Sequence, residues 1–339
     1  MHIFIDESGA YGGVGSGQSS VSAQGAIVVP THNLDKLSAK YARMRLSLPK
    51  NKSGEVKGSL LAEAEVAAVI DLMRRNEVLF FASMIDTGEH SREDIERHRQ
   101  EGIFRLGENL TNGHTPELRA NVAKLQHRMS DFSVPLYVQM NVMTELLHSM
   151  MQQMILYHCQ RHPKELERFH WVVDGKEPGV VTDWEDWWSN TIVVWLQAKS
   201  IARPGKMFTK GDYRFFQRFI MQDLPEYLRV VAPPVDILRG AGIDLQLMFR
   251  ESFRFSSQPE PGLELVDIAT NALRRALVGN LGEAGWLPLR GLMIHQHEVY
   301  VRPVGLHANN RTLARPYSKV LNRFREGGRI MMAPRFRRD

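Results

Sequence analysis

Apolar and polar positions along the chain follow two periods. Short apolar runs rich in β-branched and aromatic residues read as strands: residues 2–6 around Ile3-Phe4-Ile5, Gln24–Val29 stopped by Pro30, Val78–Ile85, Phe169–Val173 ahead of Asp174-Gly175, and Ile243–Phe249. Helical spacing marks 34–46 through Leu34, Leu37, Tyr41 and Met44, and Leu60–Arg75 through Leu61, Ala64, Ala68 and Leu72. A long apolar-periodic stretch runs from Pro135 to His162. Its methionines (Met140, Met143, Met150, Met151 and Met154) read as core packing. Trp184–Ile201 reads as an aromatic helix with Asp183, Glu185 and Asp186 at its positive end, and Pro261–Leu277 as a helix opened by proline. Residues 88–133 read as helices joined by polar turns and broken at Asn112-Gly113.

Strands alternating with helices predict an α/β fold. The first two strands pair as neighbours across the Gly/Ser-rich stretch Ser8–Ser20, expected to be a flexible loop. That stretch lacks the Gly-Lys-Ser/Thr ending of a phosphate-binding loop, so no nucleotide site is assigned to it. Residues 1–285 read as one domain, with 88–168 a helical insertion or cap, and 286–339 as a basic C-terminal extension containing a possible strand at Val299-Tyr300-Val301.

At 339 residues, 43% hydrophobic and 24% charged, the composition is that of a globular protein. The single Cys159 excludes an intramolecular disulfide and fits a reducing, cytoplasmic setting. Its apolar helical neighbours make it a buried, inert thiol. No apolar run is long enough for a membrane span, and no leader pattern precedes the first strand. The net charge of +5 is unevenly spread. From Arg302 onward ten cationic residues face only Glu326 and Asp339, and the rest of the chain is slightly acidic. Such a tail suits a phosphate backbone or a solvated face.

The candidate chemistry lies in acids at the ends of elements. Asp6 ends the first strand in Ile5-Asp6-Glu7-Ser8-Gly9, and Asp174 ends the fourth in Val173-Asp174-Gly175. Glu55 and Lys57 lie in Gly54-Glu55-Val56-Lys57-Gly58-Ser59. Asp267 follows Leu263, Leu265 and Val266 in a helix, where an acid so surrounded needs a metal or a basic partner. Carboxylates from separate parts of a chain, gathered at one sheet edge, suit Mg2+ or Mn2+ and hydrolysis of a phosphodiester. Lys57 would contact the scissile phosphate or position the attacking water; otherwise it pairs with Glu55 or faces solvent.

Taken together, Ile5-Asp6-Glu7-Ser8-Gly9, Glu55-x-Lys57-Gly58-Ser59, Val173-Asp174 and Leu263-x-Leu265-x-Asp267 resemble a bacterial and phage family catalogued as domain of unknown function 3800. The resemblance runs from residue 3 to about 280. It implies an RNase H-like mixed sheet flanked by helices, with the acids at its centre. By analogy it implies a divalent-metal nuclease acting on DNA or RNA, encoded near mobile elements and defence genes and able to work with a protein partner. In that reading Asp6, Asp174 and Asp267 bind metal, Glu55 is a fourth ligand or base, and Lys57 is a phosphate contact. The chain departs from the family pattern at Val266, where a small residue is usual, and in its long first loop; neither change removes an acid.

Other readings remain at this point. A non-catalytic RNase H-like scaffold in a multi-protein complex would carry the same acids, and a phosphodiesterase for a small nucleotide is a third possibility. Glu55-x-Lys57 also suits the PD-(D/E)xK nucleases, but their upstream acid would have to be Asp35, at a helix start. His295-x-His297 could present two imidazoles without a visible third ligand, and reads better as a surface strand. Tyr11, Glu251, Glu264 and Asp244 are candidates for supporting positions, with Glu7 and Glu264 the second choices among the acids.

Overall fold

The computed structural model describes residues 1–16, 18–108, 110–176, 180–221, 242–295, 300–306, 315 and 317–337. Its strands are β1 (His2–Ser8), β2 (Val21–Val29), β3 (Leu79–Asp86), β4 (His170–Asp174), β5 (Phe253–Ser256), β6 (Ile294–His295), β7 (Val301–Pro303) and β8 (Arg329–Ile330). Its helices are α1 (Leu34–Arg45), α2 (Glu63–Arg75), α3 (Arg92–Gly107), α4 (Pro116–Asp131), α5 (Val134–Arg161), α6 (Asp183–Asn190), α7 (Ile192–Ala202), α8 (Leu245–Arg250), α9 (Pro261–Leu277), α10 (Glu283–Trp286) and α11 (Tyr317–Phe324).

Six strands form one mixed sheet in the order β5-β4-β1-β2-β3-β7, and β6 pairs with β8 in a second, two-stranded one. Only β2 runs against its neighbours; β4 lies parallel to β1, β5 to β4 and β7 to β3. Interior position and near-complete burial explain why β1 and β2 read as continuous apolar runs.

Strand alternation separates the core into two layers. Ile3 and Ile5 of β1, with Trp171 and Val173 of β4, pack into the layer that holds α5. Phe4 and Val172 face the other way, into the layer of α1, α2 and α9. Helix α5 is 28 residues long and buried around most of its circumference, which is why its pattern reads as apolar throughout. It covers one face of the sheet. Helix α9 covers the other, and Gly25 of β2 sets how closely it lies. A Cβ at Gly25 would fall 2.0 Å from Thr270 Oγ1, so only glycine admits the helix at that distance.

Several expectations change. Ile243–Phe249 is not the fifth strand. Asp244 accepts a hydrogen bond from the Leu247 N–H (2.8 Å) and opens α8, on which Leu245, Met248 and Phe249 are buried at helical spacing. The strand follows at Phe253–Ser256. Trp184–Ile201 is two helices, parted at Thr191, whose φ and ψ (−127°, −34°) leave the helical region. The Ser8–Ser20 loop is tied down: Tyr11 is buried, its N–H donates to Ser22 Oγ (3.1 Å), and its hydroxyl donates to the Ala23 carbonyl (3.2 Å). The segment after 285 adds β7 to the main sheet beside β3. Its arginines mostly fasten the chain to itself: Arg329 donates to the Gly291 carbonyl, Arg335 to that of Gln160, Arg315 pairs with Glu89 and Arg323 with Glu283. Val299 and His297 lie outside the described residues. Among the described residues no helix is long and apolar enough to cross a membrane.

Candidate active site

Alternation and register together place the first two acids. Asp6 and Asp174 follow Phe4 and Val172 at strand period, so both emerge on the α9 side of the sheet. The parallel register pairs Ile5 with Val173, and Asp6 and Asp174 are the residues that follow them on the two strands. Asp267 approaches over them from α9. The sheet edge and one helix therefore bring three aspartates together from distant parts of the chain.

The Glu55-Lys57 segment is held against α9 by one stripe of that helix, at Glu264, Asp267, Asn271 and Arg275. Glu264 accepts hydrogen bonds from the Val56 N–H (3.1 Å), the Tyr41 hydroxyl (2.9 Å), and Arg45 Nε and Nη2 (both 2.7 Å). Asp267 Oδ2 accepts the Gly58 N–H at 2.6 Å, and Arg275 donates to the carbonyls of Gly58 (2.9 Å) and Leu61 (2.8 Å). A Cβ at Gly58 would lie 2.9 Å from Ile268 Cα, which explains the glycine after Lys57. Asn271 donates to Ser8 Oγ (3.3 Å), joining the same stripe to the end of β1. With the backbone fixed at residues 56 and 58, Lys57 Nζ lies 3.7 Å from Glu55 Oε2 and 3.9 Å from Asp267 Oδ1.

Electrostatics separate the acids by role. Asp6 is 5% exposed, and burial holds its carboxyl well above the usual range, assisted by repulsion from Asp174 and Asp267 and opposed by Lys57 and Lys176. Asp174 is raised to about 6, first by burial and then by Asp267, Glu55 and Glu185, against the pull of Lys57. Burial likewise raises Asp267, despite the Gly58 hydrogen bond and Lys57. Glu264 behaves oppositely. Burial opposes its charge, but Arg45, the Val56 N–H and Tyr41 overcome that and hold it below its ordinary value. Lys57 loses solvation too, yet Asp267, Glu55, Asp6 and Asp174 raise its pKa.

All five residues singled out from the sequence, Asp6, Glu55, Lys57, Asp174 and Asp267, are thus brought into one electrostatic neighbourhood. The supporting candidates divide. Glu264 anchors the Glu55-Lys57 loop. Tyr11 has its hydroxyl on Ala23, Asp244 caps α8, and Glu251 pairs with Arg218. Asp35 lies in the first turn of α1, and His295 meets Tyr300 and the Gly327 carbonyl. Sequence reasoning missed Lys176, which pairs with Glu7 and bears on Asp6. Its signal was its position two residues beyond the strand-end Asp174.

The donors are all oxygens, three on strand ends or a helix and Glu55 on a loop tied to α9, a set that suits a hard divalent cation. Among the described residues no group of three or more His, Cys, Asp or Glu side chains already stands in a ligating arrangement. Lys57 bridges Glu55 and Asp267, two of the residues that would hold such a cation. The fit is one of charge and donor chemistry: repelling carboxylates that are buried or partly buried are relieved by a cation.

Comparison with known proteins returns no matching family model, no matching curated protein and no matching solved structure.

Proposed function

We propose that this chain is a divalent-metal-dependent nuclease of RNase H-like architecture, hydrolysing phosphodiester bonds of DNA or RNA in the cytoplasm. The observation that carries the reading is the convergence of Asp6, Asp174 and Asp267 at one sheet edge, where Asp174 and Asp267 bear on buried Asp6 and Asp267 bears on Asp174. The family resemblance rests on the four sequence motifs. The architecture finds support in an antiparallel β1-β2-β3 meander extended by parallel β4 and β5, with the acids at its central strands.

Asp6, Asp174 and Asp267 would hold Mg2+ or Mn2+, with Glu55 a fourth ligand or a base. When bound, such cations supply Lewis acidity to the phosphodiester and a more acidic water. Lys57, which bridges Glu55 and Asp267, would contact a phosphate oxygen. Glu264 acts through others: it fixes Val56, and so the direction in which Glu55 and Lys57 point.

The test is cleavage of labelled single- and double-stranded DNA and RNA with Mg2+ or Mn2+. Alanine at Asp6 or Asp174 should lower turnover by more than the roughly 10–100-fold typical of residues behind the ligands. Unchanged cleavage in both variants would dismiss the assignment. A second reading has its own support: Lys57 between Glu55 and Asp267 partly neutralises the acids, as suits a non-catalytic scaffold in a protein complex, for example in defence. Cation binding without turnover on any of these substrates would favour it.

A further inference from the structure

Two lysines, Lys57 and Lys176, act on the charge of Asp6. Lys176 follows β4, two residues beyond Asp174, and its ammonium pairs with Glu7 Oε1. Glu7 neighbours Asp6 on β1 and so points to the opposite face of the sheet. Lys57 reaches the acids across the α9 face, from the loop before α2. The two cations therefore bracket the acidic edge from its two faces, and both act on Asp6.

Lys176 is also placed rather than loose. Glu185 accepts its backbone N–H at 3.0 Å and the Thr182 N–H at 3.0 Å, so a residue of α6 holds the backbone at Lys176. The Nζ lies 5.7 Å from the Trp184 ring centre. An ammonium has three donors, and Glu7 Oε1 takes one. A third of the side chain (33%) remains exposed. A phosphate approaching Asp6, Asp174, Asp267 and Glu55 meets an acidic edge, and Lys57 and Lys176 flank it.

We propose that Lys176 is a second phosphate-binding residue, which with Lys57 engages successive phosphates on either side of the acidic edge. The site thereby takes an internal bond of a polynucleotide in preference to a small nucleotide diester. The proposal rests on the nuclease reading above and names its substrate class.

The experiment measures binding of a short fluorescein-labelled oligonucleotide by anisotropy, in EDTA, across a salt series. The decisive variant is Glu7→Gln/Lys176→Gln, which leaves the net charge of the edge unchanged. The expected result is weaker binding, with the slope of log affinity against log salt shallower by about 0.7–0.9, the contribution of one phosphate contact. Lys176→Arg should keep the wild-type slope. If the double variant binds as wild type does, Lys176 merely neutralises Glu7 and the proposal falls while the nuclease reading stands. If the wild type binds no oligonucleotide in EDTA, the proposal falls, and cleavage with Mg2+ or Mn2+ decides the nuclease reading separately. A readout on the unaltered protein guards against a misfolded variant: the oligonucleotide should protect Lys176 from acetylation, measured by mass spectrometry, and equal labelling with and without it would overturn the proposal.

Discussion

The two ends of β1 hold buried acids in opposite states. Near its start, Glu165 accepts the Thr31 N–H (2.8 Å), pairs with the Met1 amine (3.2 Å) and meets His32 Nδ1 (3.1 Å). Burial works against its charge, yet these partners bring its pKa down to about 2. At the far end Asp6, Asp174 and Asp267 are raised, because burial there is joined by mutual repulsion that Lys57 and Lys176 only partly offset. The same contrast recurs within α9 over one turn, between satisfied Glu264 and raised Asp267. Burial alone thus does not mark a functional acid. An acid that the fold surrounds with donors serves the fold, whereas acids that the fold presses together wait for a cation or a proton.

Substitutions at the two ends should therefore act in opposite directions. Glu165→Gln has the largest expected effect on stability. The native pKa lies below the ordinary 4.5, so its contribution is full above that pH and is lost as pH falls toward 2. Urea unfolding should show a loss of about 3 kcal/mol at pH 7 that shrinks below pH 4. Asp174→Asn should do the reverse. Its native pKa of about 6 lies above the ordinary 3.8, so the favourable contribution is present below 3.8 and disappears as pH rises through 6. Without divalent cations, the variant should gain on the order of 1–3 kcal/mol over wild type between pH 4 and pH 8. A gain that is the same at both pH values would remove the repulsion from the account of this edge. The smallest effect is expected from Tyr41→Phe, which takes one of several donors from Glu264. A loss of about 1–2 kcal/mol in unfolding free energy, with cation affinity little changed, would show that Glu264 serves the fold.

Much of this was legible in the chain because strand ends and helix spacing are local properties. Apolar runs at Ile3-Phe4-Ile5 and Trp171-Val172-Val173 locate the strands, and the acids directly after them mark the edge. Pro261 and the apolar stripe behind it give α9 as the structure has it. Where expectation failed, the deciding contact was narrow or distant. Ile243–Phe249 alternates well enough for a strand, and one cap by Asp244 turns it into a helix. The C-terminal arginines look like a free basic tail until their carbonyl partners on remote segments are known. Lys176 belongs to the edge only through its reach to Glu7, across from the neighbouring parallel strand. Gly25 is unremarkable in sequence and Gly58 stands out only as part of the Glu55-x-Lys57-Gly58-Ser59 motif, yet each permits the close approach of α9 that brings Asp267 to the edge.

The most direct measurement is Mn2+ binding by isothermal titration calorimetry, at pH 7.5, on the wild type and on Asp6→Asn/Asp174→Asn. The expected result is saturable binding by the wild type that weakens as pH falls through about 6, where Asp174 takes up its proton, and that is lost in the double variant. Absence of binding by the wild type, even with an oligonucleotide present, or equal binding by both proteins, would contradict a cation site at the end of β1.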